Sequence, residues 1–296
     1  MNAPQANSCW GIYRELAHSP GRETDDALIL RETARRLEEK GFGVSLKTAE
    51  EVVASNEKPP AFLFVMCERL GILNRLERWQ ELGVCQVNSA SAIRNTYRDR
   101  TLPLFESNGV SFPASVLVPT ELPIPRDAAF RESPAGCWVK RGDVHATQPG
   151  DVVYAPDPGA LARALAELRS RGIERAVIQE HVPGDLIKFY GVGEVDPRER
   201  SENGGDWFQW FYHRDQSLQG HPFDPGDLAA AASRAAAALG LEVFGGDAIA
   251  GPGGRLVLID VNAWPSFALY RETASERIAS YLAARFRRHV EVGVQE

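Results

Sequence analysis

Gly240-Leu241-Glu242-Val243-Phe244-Gly245-Gly246-Asp247-Ala248-Ile249-Ala250-Gly251-Pro252-Gly253-Gly254-Arg255-Leu256-Val257-Leu258-Ile259-Asp260-Val261-Asn262-Ala263-Trp264-Pro265-Ser266-Phe267 reads as a buried β-hairpin that carries acids. Two apolar runs, Val243 to Ala250 and Leu256 to Val261, flank Gly251-Pro252-Gly253-Gly254, and a Gly-Gly pair tolerates the positive φ of a tight hairpin turn. With Gly253 and Gly254 as the loop, Pro252 faces Arg255, and stepping outwards sets Asp247 opposite Asp260, with Asn262 on the same face. Opposed strand residues have Cβ atoms about 5 Å apart, and like charges at that distance destabilise a sheet unless something positive lies between them. A hard divalent cation fits: Mg²⁺ is typically held by one or two carboxylates together with the phosphates of a nucleotide. The alternative is that both acids end strands in solvent. Against it, Leu256 to Val261 is apolar on both faces apart from Asp260, the pattern of a covered strand.

Around this hairpin the chain has 296 residues, enough for a large core and two or three structural units. Its apolar and charged fractions, 44% and 25%, are those of an ordinary globular protein. A net charge of −7 without a basic run argues against nucleic acid as a partner, while a locally basic pocket leaves room for a small anionic substrate. The N-terminus lacks the pattern of a signal peptide and no apolar run approaches the roughly 20 residues that span a bilayer, so a cytoplasmic chain without membrane association is expected. Cys9, Cys67, Cys85 and Cys137 are widely spaced beside apolar stretches and read as buried free thiols.

Taken in order, a strand around Cys9 to Tyr13 precedes a polar loop, Arg14 to Thr24, and a helix from Asp25 to Lys40 follows. Strands at Val44 to Leu46, Ala61 to Cys67 and Val84 to Val87, with a helix at Leu70 to Leu82, make the first ninety or so residues a small parallel α/β unit. Ligands of such units lie beyond the carboxyl ends of strands, where the Arg14 to Arg22 loop and Glu68 fall; a solvated loop with incidental charges is the other reading. Irregular chain through Pro123, Pro125 and Pro134 leads to a strand delivering Lys140 to a loop that holds His145 and Thr147. That loop is not a Walker A sequence, since no Gly-Lys-Ser/Thr closes it, yet a lysine entering it can cover phosphates. Ala176 to Asp185 is a strand, an acid and a turn; Leu186 to Tyr190 restarts a strand. A polar loop, Glu194 to Asp206, precedes Trp207 to Tyr212, a strand delivering His213 and Arg214. Asp224-Pro225 caps the helix before the acidic hairpin, and Thr273 with Glu276 has capping-box spacing for a final helix.

This order of lysine loop, strand ending in Glu, polar hairpin, then Asp and Asp-x-Asn resembles the ATP-grasp superfamily, and most of all its inositol polyphosphate kinase branch. Three signatures carry the resemblance: Lys140 to Thr147; Gln179-Glu180-His181-Val182 leading to Lys188-Phe189-Tyr190-Gly191-Val192-Gly193; and Ile259-Asp260-Val261-Asn262-Ala263-Trp264-Pro265. Arg100 stands where the family commonly has lysine, and Ser266 where it has glycine. The resemblance implies an ATP-grasp fold, α/β with an α+β C-terminal part: an N-terminal parallel α/β domain over residues 1–93 and an ATP-grasp domain over 94–296. The latter divides into a nucleotide-covering part, 94–180, and a metal-binding part, 181–296.

Carried across, Arg100 and Lys140 contact ATP phosphates, Gln179, Glu180, His181 and Val182 hold adenine, and Asp185 takes the ribose. Asp247, Asp260 and Asn262 hold Mg²⁺, with Mn²⁺ as the alternative ion, and His145 and Lys188 face the acceptor. Phosphoryl transfer is served mainly by positioning and by cations that neutralise the moving group, which Lys140, Arg214 and Mg²⁺ supply. The leading expectation is a kinase that moves the γ-phosphoryl to a hydroxyl of a small anionic polyol, with Arg14, His18 and Arg22 adding charge. A carboxylate–amine ligase acting through an acyl phosphate is the alternative, and a nucleotide-binding module without turnover a further one. A monomer or homodimer is expected.

Overall fold

The structure, a computed structural model, describes residues 7–121, 135–194 and 207–293; the prolines at 123, 125 and 134 and the loop residues 195–206 lie outside them. The first part of the chain alternates as its periodicity predicts. β1 (Ser8–Ile12), α1 (Glu23–Glu39), β2 (Gly43–Lys47), α2 (Ala49–Ala54), β3 (Phe62–Val65), α3 (Leu70–Glu81) and β4 (Cys85–Val87) build a parallel sheet in the order β2-β1-β3-β4. β3 is apolar throughout because it has a core on each side: Leu63 and Val65 enter one cluster, Phe62 and Phe64 the other. α2 escapes a reading by periodicity, being six residues long, but Thr48 and Glu51 form a full capping box.

α4 (Ala90–Asn95) and α5 (Arg98–Ser107) lead to a second sheet. Its strands, β5 (Ser115–Pro119), β6 (Cys137–Arg141), β7 (Val152–Ala155) and β8 (Arg175–Glu180), run antiparallel in the order β5-β8-β6-β7. α6 (Pro158–Ser170), started by the Asp157 cap, lays Leu161, Leu165 and Leu168 on this sheet to make a separate core. The third sheet is β9 (Asp185–Val192), β10 (Trp207–Tyr212), β11 (Val243–Ala250) and β12 (Leu256–Ala263), in the order β10-β9-β11-β12. α7 (Pro225–Leu239) precedes β11 and ends at Gly240, whose φ of 77° only glycine adopts freely. α8 (Arg271–Gly293) closes the chain. Among the described residues no helix is long and apolar enough to cross a membrane.

The predicted start of the last helix is corrected. Thr273 lies inside α8, its hydroxyl donating to Tyr270 O (3.2 Å). Glu276, expected to close a capping box, instead pairs with Arg36 of α1 (2.6 Å) and with Lys40 just past its end (3.0 Å), so a tertiary contact claims it.

The first and third sheets share both large cores. Ile12 and Leu63 pack in one cluster with Phe189 and Val261, and α1 and α8 close the other over Tyr190 and Val192. Asn88, directly after β4, binds the two sheets: its amide nitrogen donates to Val243 O (2.7 Å) and its oxygen accepts from the Glu242 and Val243 amides. The second sheet, with its own core, meets this body across a cleft. The site lies there.

The acidic hairpin differs in register from its predicted form while keeping its central pair. Ala250 pairs with Leu256, Ile249 with Val257 and Ala248 with Leu258, one step off the two-residue-turn register, because the turn spans Gly251 to Arg255 and closes with Gly251 N to Arg255 O (2.7 Å). A bulge then leaves Ile259 over, and Asp247 falls opposite Asp260 after all.

Candidate active site

Across the third sheet the register sets Lys188, Asp247 and Asp260 in one row, and Tyr190, Gly245 and Asn262 in the next. Lys188 donates to Asp247 Oδ1 (2.7 Å). Asp260 Oδ2 lies 3.7 Å from Arg98, the first residue of α5. Burial alone would raise the Asp260 carboxyl, but Arg98 and Lys140 outweigh it and hold the group below the usual range. Lys140 comes down from the second sheet, 7% exposed, and its Nζ donates to the carbonyl of Ile259 (3.1 Å), the residue the bulge leaves out of the ladder. Burial pushes Lys140 down to about 8, against the pull of Asp260.

Arg98, Lys140, Asp247 and Asp260 line a cleft of about 540 Å³ between the second and third sheets. Gln179, Glu180, His181 and Val182 line it where the chain leaves β8 and crosses to β9, so the backbone after Glu180 runs outside both sheets. Trp138 and Tyr154 pack on His181, and Trp138 Nε1 donates to His181 Nδ1 (3.1 Å). Arg255 reaches Glu180 from the hairpin turn at 3.5 Å. Val182, Ile249 and Val257 form a small apolar cluster of their own. The loop after Lys140 is folded on Asp151, whose Oδ2 accepts from Thr147 N (2.7 Å), Gln148 N (3.1 Å) and Arg141 (3.1 Å), while Arg171 bonds its other oxygen.

A second pocket, about 250 Å³, opens beside the first and shares Asp247 with it. Arg14, His18 and Arg22 line it from the loop after β1; Lys188, Tyr190 and Asn262 line it from the third sheet, with Pro265 and Ser266 from the turn that follows. Trp264 and Phe267 flank that turn at positive φ, 37° and 50°, and both are buried. Arg14 clasps it, donating to Ala263 O (3.0 Å) and Trp264 O (2.8 Å). The same guanidinium faces Glu68 (3.3 Å) and Asp26 (3.6 Å), and His18 also meets Glu68 (3.5 Å). Burial of Glu68 would raise its carboxyl; Arg14 first, then His145 and His18, hold it at about 2.

Several predicted residues stand elsewhere than expected. Arg100 is solvent-exposed and lines neither pocket. Arg98 takes the place, donating also to Arg141 O (3.2 Å) and Val144 O (2.7 Å). Two residues along a helix is a half-turn and more, and Thr101 and Phe105, three and seven positions after Arg98, are its buried companions. Asp185 is 1% exposed and both its oxygens accept backbone amides, from Gln219 (2.6 Å) and His221 (2.9 Å); it orders that loop and does not face the cleft, whereas Gln219 does. Arg214 is exposed and outside both pockets. His145 lines neither pocket: Thr96 gives its own proton to Ile93 O, so it accepts from His145 Nε2 (3.1 Å), which leaves Nδ1 buried without a partner. Burial lowers its pKa, with Glu68 and Asp260 pulling the other way. Asp26 and Gln219 had no signal as lining residues, since their neighbours are distant in sequence, whereas Ser266 stands in the turn that the resemblance marked.

No protein-family profile and no curated protein matches the sequence. Solved structures match nearly end to end. The D-alanine-D-alanine ligase from Coxiella burnetii superposes with a TM-score of 0.68 at 10% identity, covering 97% of each chain. D-alanyl-alanine synthetase A from Vibrio cholerae gives 0.68 at 9%, covering 97% of this chain and 99% of that one. The ATP-grasp ligase PsnB, in a structure with a minimal precursor variant, Mg and ADP, gives 0.61 at 15%, covering 96% and 100%. These matches correct the expected resemblance to inositol polyphosphate kinases: the similar structures are ligases of amino acids and peptides. The second pocket gives a physical reason, because a polyol phosphate needs several uncommitted cations, while Arg14, His18 and Lys188 are already paired with Glu68, Asp26 and Asp247. What the matches establish at these identities is the architecture: the chain has the ATP-grasp fold, with an N-terminal parallel α/β sheet.

Proposed function

We propose that the chain is an ATP-dependent carboxylate–amine ligase. The observation that carries this reading is that the long cleft and the small pocket meet at Asp247, so a nucleotide in the first places its terminal phosphate beside a substrate in the second. The likeness to D-alanine-D-alanine ligases and PsnB supports the class of reaction. Adenine lies against Glu180 to Val182, and Lys140 and Arg98 face the phosphates. Asp247, Asp260 and Asn262 suit a hard divalent ion: two carboxylates and an amide oxygen on one face are what Mg²⁺ takes from a protein when phosphates complete its shell. Mg²⁺ held there supplies charge neutralisation to the phosphates.

A carboxylate oxygen of the substrate attacks the γ-phosphorus, the bond to the bridging oxygen breaks, and ADP leaves. The amine nitrogen then attacks the acyl carbon, inorganic phosphate departs, and the amine proton passes to solvent. The chain's own part is to bring the two substrates together and to keep positive charge on the transferred group, which Lys140, Arg98 and Lys188 do from three elements. The test measures ADP and free phosphate with ATP, Mg²⁺ and a panel of amino acids and dipeptides. ADP and phosphate rising together, only when a carboxylate and an amine are both present, is the expected result. ADP formed with phosphate retained on a hydroxyl acceptor sinks the proposal.

A further inference from the structure

The small pocket carries information about what it admits. Its volume of about 250 Å³ falls below the roughly 300–1,000 Å³ of pockets that take drug-sized ligands, so an amino acid or a molecule of that size fills it. Its charges are mostly spoken for. Arg14 faces Glu68 and Asp26 and holds two carbonyls; His18 faces Glu68; Lys188 bonds Asp247. Asp26 is itself committed, accepting from Ser19 Oγ (2.5 Å) and facing Arg14. Arg22 differs: it is an exposed lining residue, and among the described residues it makes no ion pair. Asp247, with Lys188 bonded to it, marks where the pocket joins the cleft, and Arg22 belongs to the loop after β1. A guanidinium offers a planar fork matched to an acid group.

We infer, resting on the ligase reading above, that the carboxylate substrate is a small molecule bearing a second acid group, carboxylate or phosphate, and that Arg22 holds the acid group that does not react. Arg22 is then the residue that sets specificity between acids and their neutral isosteres.

The test uses the full chain with ATP, Mg²⁺ and hydroxylamine as the amine, reading acyl hydroxamate. The carboxylate oxygen displaces ADP from the γ-phosphorus; the hydroxylamine nitrogen displaces phosphate from the acyl carbon and loses a proton to solvent. Aspartate, glutamate and O-phosphoserine, each as both enantiomers, are compared with asparagine, glutamine, serine and N-acetylglutamate amide. At least one of the three diacids is expected to give hydroxamate, with its neutral isostere about tenfold or more poorer in kcat/KM. Arg22→Gln should raise the KM for that diacid about tenfold or more, with the loss in KM rather than kcat, and Arg22→Lys should restore part of it. MgADP affinity, unchanged in both variants, reports that they are folded. Neutral isosteres reacting as well as the diacids, or a KM unmoved by Arg22→Gln, overturns the inference and leaves the ligase reading standing. N-acetylglutamate amide matching free glutamate points instead to peptide side chains and overturns it too. No hydroxamate from any carboxylate refutes the ligase reading itself, and the inference falls with it.

Discussion

Raising the pH from about 7 to about 9 is expected to weaken MgADP binding about tenfold in this protein and to leave it unchanged in Lys140→Met. The size follows from the surroundings of the ammonium. Burial pushes Lys140 down to about 8; Asp260 and Asp247 pull it up and Arg98 adds to the depression. A phosphate oxygen within reach favours the charged form, so nucleotide binding draws on the protonated fraction alone. That fraction is about nine-tenths at one unit below the pKa and about one-tenth at one unit above, which is about 1.4 kcal/mol of affinity. Stability moves in the opposite sense. The folded value lies below the ordinary 10.5, so the unfolded chain binds more protons between about 8 and 10.5, and folding becomes more favourable as pH rises through that window, by at most about 3–4 kcal/mol. Lys140→Met lacks both dependences. Calorimetric titration of MgADP and urea midpoints, each at several pH values for both proteins, measure them. An affinity flat with pH in the unmodified protein, or falling equally in Lys140→Met, refutes the placement of this ammonium at the phosphates.

Glu68→Gln should cost about 1–3 kcal/mol in urea denaturation, because it removes one of the two carboxylates that face the Arg14 guanidinium and leaves Asp26 as the other. The folded Glu68 carboxyl, at about 2, lies below its ordinary 4.5, so its contribution is present above that value and lost as pH falls towards about 2; the variant should lack this acid limb, and equal acid sensitivity counts against the assignment. Asp185→Asn should destabilise the protein by about 1–3 kcal/mol through the amides of Gln219 and His221 while leaving the ratio of affinities for ATP and its 2′,3′-dideoxy analogue unchanged; a changed ratio would return Asp185 to the ribose. Gly246→Ala sets a Cβ 2.2 Å from Asp260 O and 2.6 Å from the Phe189 ring, so a loss of about 3 kcal/mol or more is expected, whereas Gly43→Ala meets nothing within 4 Å and should stay within about 0.5 kcal/mol. Similar thermal midpoints for the two glycine variants would contradict the close approach of β11 and β12.

Local chemistry was enough for a good part of this molecule. The alternation of apolar runs and amphipathic stretches announces the parallel N-terminal sheet, since a strand with a core on each side, such as Phe62 to Val65, has no polar face to show. The period of two along β12 was enough to set Asp260 and Asn262 on one face. The opposition of the two acids emerged from a turn that was misread and a bulge that offset it: one extra residue in the loop and one in β12 cancel, and neither has a signature in the sequence. That bulge matters, because it is the carbonyl of Ile259 that receives Lys140.

Where long-range partners decide, reading along the chain failed. Arg98 and Arg100 are equivalent as residue types, and only the packing of Thr101 and Phe105 turns one of them to the cleft. Asp185 opens β9 and Arg214 follows β10, yet one is claimed by a loop more than thirty residues on and the other points to water. Arg14 was legible as a cation near a strand end, but its hold on Ala263 and Trp264, about 250 residues away, belongs to the tertiary structure. The physical reason is common to all of them. Spacing along a strand or helix dictates which side a residue takes, whereas a charged side chain settles by desolvation and by the partners that meet it, and those arrive from other elements only when the sheets have packed.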